Sequence, residues 1–209
     1  MPHHVLLLGA TGLVGRELLD LLLRDASIER VRVLARRSTG VKHAKLDEHL
    51  LELDAMEQHR GLFAVDAIFC ALGTTIKIAG SQERFRVVDH DYPLVAARLG
   101  KEQGAQHYLL VSSIGADVKS RAFYTRVKGE VERDVLALDY PRTTIARPSL
   151  LLGDRHEFRF GEHLFSRLSW LVPPAYKPVQ ARDVARALLG AAHAQTTRVE
   201  ILSSARIRA

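Results

Sequence analysis

The stretch HVLLLGATGLVGRELLDLLL, residues 4–23, changes periodicity across three glycines, and that change restricts the architecture more than any other feature of the chain. HVLLLG (4–9) is a short continuous apolar run, as expected of a strand buried on both faces. GLVGRELLDLLLRD (12–25) places leucines at 18, 19, 21, 22 and 23, an apolar face at helical spacing. Gly9, Gly12 and Gly15 sit at the join. Glycine allows a tight turn and a close backbone approach, and a helix N-terminus offers N–H groups and the positive end of a dipole to a pyrophosphate. An ordinary strand-to-helix turn needs no such spacing, so the context favours a dinucleotide site.

The alternation continues along the chain. RVRVLAR (30–36), HLLEL (49–53), VDAIFCAL (65–72), HYLLVSS (107–113), TTIARP (143–148) and RVEILSS (198–204) read as strands. Helical stretches are expected at 82–103, with a break near Asp91-Tyr92-Pro93, and at 124–138 and 181–194. Strands alternating with helices predict an α/β fold, a Rossmann-like doubly wound parallel sheet flanked by helices. The 209 residues fit a single domain. Only 153–178 interrupts the pattern: Pro173, Pro174 and Pro178 fall within it, and Pro148 lies just before. Ligands of open α/β sheets bind at the carboxyl ends of the strands, so this segment is expected to cover a substrate there.

Composition excludes several other classes. A net charge of +6 is spread over scattered arginines without a basic run or interleaved aromatics, which argues against a nucleic-acid partner. No stretch is apolar enough for a membrane span, the start lacks the pattern of a secretion signal, and Cys70 is the one cysteine. These features lead us to expect a cytoplasmic protein. The ten histidines show no ligand-pair spacing, and Glu157, Glu162 and His163 lack a convincing third ligand, so no metal is expected.

Two further motifs carry chemistry. An acid about 20 residues beyond the glycines would bind the ribose hydroxyls of NAD, whereas arginine accommodates the 2′-phosphate of NADP. VLARRST has Arg36 and Arg37 there and no acid, which points to NADP(H) rather than to two merely solvated arginines. In VSSIGADVKSRAFYTRVKGE (111–130), Tyr124 and Lys128 are four apart on one helical face. An ammonium beside a phenol favours its ionised form and eases proton transfer near neutrality. Ser112 and Ser113 lie at the preceding strand end, where a hydroxyl can hold a substrate oxygen. Tyr-x-x-x-Lys alone is common, and an exposed helix face with a packed tyrosine would also produce it. Here its order after the serines strengthens it, as does Gly129. A mid-helix glycine costs about 1 kcal/mol, which a close approach of cofactor or of another backbone would explain.

Together the glycine segment, CALGTT (70–75), the serine pair, YTRVKGEVE (124–132) and ARPSLLLGDR (146–155) resemble the Tat-interacting-protein branch of the atypical short-chain dehydrogenase/reductases. The resemblance covers most of the chain in one order. It implies a Rossmann fold and NADPH binding. It further implies that Gly9, Thr11, Gly12, Leu13, Val14 and Gly15 hold the pyrophosphate, and that Arg36 and Arg37 take the 2′-phosphate. Asp54 would lie near the adenine and Leu72, Gly73 and Thr74 along the cofactor. Arg147, Pro148 and Ser149 would border the nicotinamide. Tyr124 would be the acid/base and Lys128 the ribose-binding lysine, with Ser112 (serine, two residues, glycine) or Ser113 (the strand end) assisting. Many relatives pair through helices, so a homodimer is one of the assemblies left open.

Three functions compete. The first is an NADPH-dependent oxidoreductase acting on a small carbonyl substrate. The second is an NADP(H)-binding regulatory or sensor protein that contacts a protein partner and turns over little, since the family includes regulators. The third starts from GATGLVG, which also resembles the opening of semialdehyde dehydrogenases. Those enzymes need a nucleophilic cysteine and generally a separate catalytic domain, and Cys70 sits inside an apolar strand. The chain is also short for a second domain, so the third reading is set aside.

Overall fold

The computed structural model describes residues 2–152, 177–194 and 198–208. The glycine-bearing stretch folds as its two periodicities require. β1 (His4–Leu8) is buried after its first residue, and α1 (Leu13–Arg24) turns Leu18, Leu19, Leu22 and Leu23 inward. β2 (Arg30–Ala35), β3 (Leu46–Leu50), β4 (Ala67–Cys70), β5 (His107–Val111) and β6 (Arg142–Arg147) follow. A two-residue pair, β7 (Leu151–Leu152) with β8 (Val179–Gln180), precedes β9 (Val199–Ser203). Seven described strands form one sheet in the order β3-β2-β1-β4-β5-β6-β9, every pair parallel.

Alternate strand residues face opposite sides, and helices cover both. Val5, Leu7, Val33, Phe69 and Leu109 pack on one side with α1 and with α6 (Ala181–His193). Leu6, Leu8, Ile68, Tyr108 and Leu110 pack on the other with α4 (Tyr92–Glu102), α5 (Phe123–Ala137) and a 3₁₀ stretch at Leu53–Phe63. Short helices α2 (Ile76–Ala79) and α3 (Gln82–Arg86) lead into α4, and α7 (Ser204–Arg208) follows β9. Among the described residues no helix is long and apolar enough to cross a membrane.

Two elements differ from the sequence expectation. The strand read at 49–53 lies at Leu46–Leu50, because pairing of Val31 with Leu46 through Ala35 with Leu50 sets its register. Leu53, counted within that strand, instead opens the 3₁₀ stretch and is buried against the core. The helix expected to break near Pro93 does not end there. It passes the proline by way of a π-turn at Val87–Asp91, where Pro93 has no N–H for the carbonyl four residues back. Of the segment 153–178, residues 153–176 lie outside the described residues, so its expected role as a cover is left there.

Candidate functional site

The strand order reverses direction between β1 and β4, and a groove opens at the carboxyl ends of these strands. Gly9 makes the turn. Its φ of +82° lies in the left-handed region, and a Cβ there would meet the Ala71 carbonyl oxygen at 2.4 Å. Gly15 is equally constrained, since its Cβ would lie 2.0 Å from the Gly9 carbonyl oxygen. The glycines thus let three backbone segments close on one another. Gly12 caps α1 without a side-chain hydrogen bond, and no acid occupies the first turn. The free N–H groups of this helix start therefore present an anion site to the groove.

The groove has a volume of about 390 Å³, the size of a small-ligand site. Gly9, Thr11 and Gly12 line it from the first turn, Arg36 and Arg37 from the end of β2, and Leu72, Gly73 and Thr74 from the end of β4. Leu13, Val14 and Gly15 lie behind them in the first turn of α1. Both arginines are exposed, and neither has a carboxylate partner among the described residues. Asp54 also lines the groove and accepts a 2.7 Å hydrogen bond from the Tyr92 hydroxyl. Burial and the Asp54 charge push the Tyr92 phenol up to about 12, so it remains a donor.

Tyr124 and Lys128 lie on α5, one turn apart, with different surroundings. The Tyr124 side chain is more than a third exposed, its ring 5.4 Å from that of Phe85. Lys128 is buried, and its Nζ lies 2.7 Å from Oδ1 of the equally buried Asp89. Burial alone would lower the lysine. The Asp89 carboxylate, together with Tyr124 and Cys70, more than offsets it, and the ammonium is held above its ordinary range. A Cβ built on Gly73 would come within 3.9 Å of this Nζ, so the lysine lies against the loop that lines the groove.

Beyond β5, the Ser112 hydroxyl is buried and has no hydrogen-bond partner among the described residues. The Ser113 hydroxyl is half-buried and donates weakly to the Ile114 carbonyl at 3.3 Å. Arg147 turns to α5, where its Nε donates to both carboxylate oxygens of buried Glu132 at 3.0 and 3.1 Å. The hydrogen bonds and charge of Glu132 raise the guanidinium further. Ser149 donates to the Lys177 carbonyl and accepts from Ser204 at 2.9 Å, and Pro148 is buried. Cys70 is buried in β4, and burial pushes its thiol up, away from a nucleophilic thiolate.

Sequence reasoning missed Asp89, Tyr92 and Arg84, which is also on the groove wall. A signal for Asp89 existed. Phe85, Asp89, Pro93 and Ala96 recur at helical spacing and are all buried, which puts a carboxylate on an apolar face. Such a carboxylate requires a partner.

Comparison with known proteins agrees with this fold. Residues 4–89, less than half of the chain, match a family described as the NAD-binding domain of semialdehyde dehydrogenase. The protein FMP52, mitochondrial, of Eremothecium gossypii is 37% identical over 171 residues, covering 81% of this chain and 76% of that protein. Rat HTATIP2 is 35% identical over 192 residues, covering 88% and 79%. Among solved structures, the Bordetella bronchiseptica enzyme WbmH in complex with NAD+ superposes with a TM-score of 0.76 at 17% identity, over 97% of this chain and 76% of that one. MoeE5 in complex with UDP-glucuronic acid and NAD gives 0.77 at 17% identity, over 95% and 75%. At such identities the structures establish the Rossmann architecture and nothing finer.

Proposed function

The chain belongs to the Tat-interacting-protein family of HTATIP2 and FMP52, with an NAD(P)-binding Rossmann domain, and from that premise we propose that it is an NADPH-dependent reductase of a small carbonyl compound. One observation carries the reading. Lys128, paired with Tyr124 by sequence spacing, lies against Gly73 on the wall of the groove that the glycine turn and the two arginines also line. The lysine of one motif thus adjoins a wall that the other two motifs line, which supports the reading.

The residues present fit the cofactor. The uncapped start of α1 and the glycine turn suit its pyrophosphate, and Arg36 and Arg37 suit a 2′-phosphate through charge-assisted, forked hydrogen bonds. When bound, NADPH supplies the hydride. The protein's part is proton delivery and orientation. Tyr124 donates its phenolic proton to the substrate oxygen. Lys128, kept cationic, stabilises the phenolate left behind. Ser112 holds the substrate oxygen: a buried hydroxyl without a partner costs about 1–3 kcal/mol, and a ligand oxygen would supply that partner.

Replacing Tyr124 by Phe tests the reading. NADPH binding is expected to be unchanged within about twofold, while turnover of any carbonyl substrate falls at least about 100-fold, the range of general acid catalysis. Unchanged turnover overturns it. Tight NADPH binding with no turnover across a broad carbonyl panel would favour the regulatory reading instead. The expected cytoplasmic location stands against the word mitochondrial in the FMP52 names, and cell fractionation decides it.

A further inference from the structure

The Asp89 carboxylate has two partners, and they belong to different parts of the site. Oδ1 pairs with Lys128 Nζ of α5 at 2.7 Å. Oδ2 accepts the backbone N–H of Thr74, in the groove-lining loop after β4, at 2.9 Å. Asp89 itself is 1% exposed, and Lys128 is 4% exposed. We propose that Asp89 is a positioning residue, whose carboxylate locks the Lys128 ammonium to the Gly73–Thr74 loop so that the lysine and the cofactor-binding wall are set as one unit.

This inference rests on the reading of Lys128 as part of the reductase site. Stability alone gives no reason for the arrangement. A buried ion pair is often matched or exceeded by apolar residues of similar volume, so its presence calls for another use. The backbone points the same way. The π-turn at Val87–Asp91 places two successive residues, Asp89 and His90, on the buried side of the helix. π-turns cost regular hydrogen bonding and recur at functional sites. Here the turn sends Asp89 to Lys128 and Thr74, while His90 meets Asp91 and Asp134. The titratable groups acting on Lys128 are Asp89 from the π-turn, Tyr124 from α5 and Cys70 from β4. Of these Asp89 supplies the contact.

The test uses Asp89→Asn in the full chain. Asparagine keeps an oxygen for the Thr74 N–H and removes the charge. The Lys128 side chain is followed by ¹³C NMR of ε-labelled lysine without cofactor, with Lys128→Met assigning the signal. NADPH affinity is measured by fluorescence. The Lys128 titration is expected to move to lower pH, and NADPH to bind about tenfold more weakly, comparable to the loss of one charge-assisted contact. An aspartate that serves only the fold would leave NADPH affinity unchanged, and either that result or an unmoved titration overturns the proposal.

A second comparison holds even where Asp89→Asn alone does not fold. Asp89→Asn is added to Lys128→Met, which removes both charges together. NADPH affinity is expected to change less than about twofold between these two variants, since residues acting as one unit are non-additive. A further loss of about tenfold or more in that background overturns the proposal. The two readings fail separately: full turnover by Tyr124→Phe would end the reductase reading, yet leave the cofactor-free titration of Lys128 intact.

Discussion

Gly129 on α5 lies directly against the backbone of Asp117: a Cβ on the glycine would stand 2.3 Å from the Asp117 carbonyl carbon and 2.4 Å from the Val118 nitrogen. The expense of a glycine within a helix is thus offset by another backbone. The loop from Asp117 is tied to the same helix by the Asp117 N–H, which donates to the Thr125 carbonyl at 3.1 Å.

Gly129→Ala is expected to destabilise the protein. Alanine gains up to about 1 kcal/mol of helix propensity, but overpacking against fixed backbone costs about 1–3 kcal/mol or more. The net loss should be about 1–2 kcal/mol, read as a lower urea midpoint at unchanged m. A midpoint equal to or above that of the parent would contradict the packing described.

Arg36 and Arg37 should decide between the two nicotinamide cofactors. Replacing both with alanine removes charge-assisted contacts available to a 2′-phosphate, each about 1.5–3 kcal/mol. NADPH affinity should fall at least about 10-fold while NADH affinity moves less than about threefold. Calorimetry with each cofactor measures the ratio, and parallel losses for both would remove the assignment to the 2′-phosphate.

Stability should depend on pH through His107. The imidazole is 2% exposed at the start of β5, with Nε2 2.8 Å from the Thr144 hydroxyl and no described partner for Nδ1. Burial, assisted by the Arg142 charge, brings its pKa down from 6.5 to about 3. Between those values the unfolded chain binds the proton and the folded one does not. Stability is therefore fully present above pH 6.5 and declines as pH falls toward 3. The slope attributable to one such proton is about 1.4 kcal/mol per pH unit. Urea titrations from pH 7 to pH 5 on the parent and on His107→Gln check it: the variant should show a flatter dependence, and equal slopes would exclude His107 as the source.

Much of the fold was legible because buried parallel strands must be apolar on both faces. HVLLL, AIFC and HYLLV carry that requirement in their composition, and α1 and α6 show their apolar stripes. β3 was less legible. It is an edge strand without a fully buried residue, and its partner β2 sets its position. The glycine turn and the two arginines at the end of β2 were readable because local backbone geometry and charge write them into short motifs. Asp89 was not read, since its partners lie 15 and 39 positions away and no local motif joins them. The turn of Arg147 toward Glu132 is of the same kind.

The sequence by itself determined the order of elements, the glycine turn at the start of α1 and the residue types able to bind phosphate or move a proton. Those depend on periodicity, on backbone freedom and on side-chain chemistry, all properties of short stretches. Only the tertiary structure decided which of these groups meet. It placed Lys128 under Gly73, gave it Asp89 as a counter-charge, and left Ser112 buried without a partner among the described residues. The physical reason is that a buried charge must find its partner wherever packing brings one, and packing joins strands and helices that lie far apart along the chain.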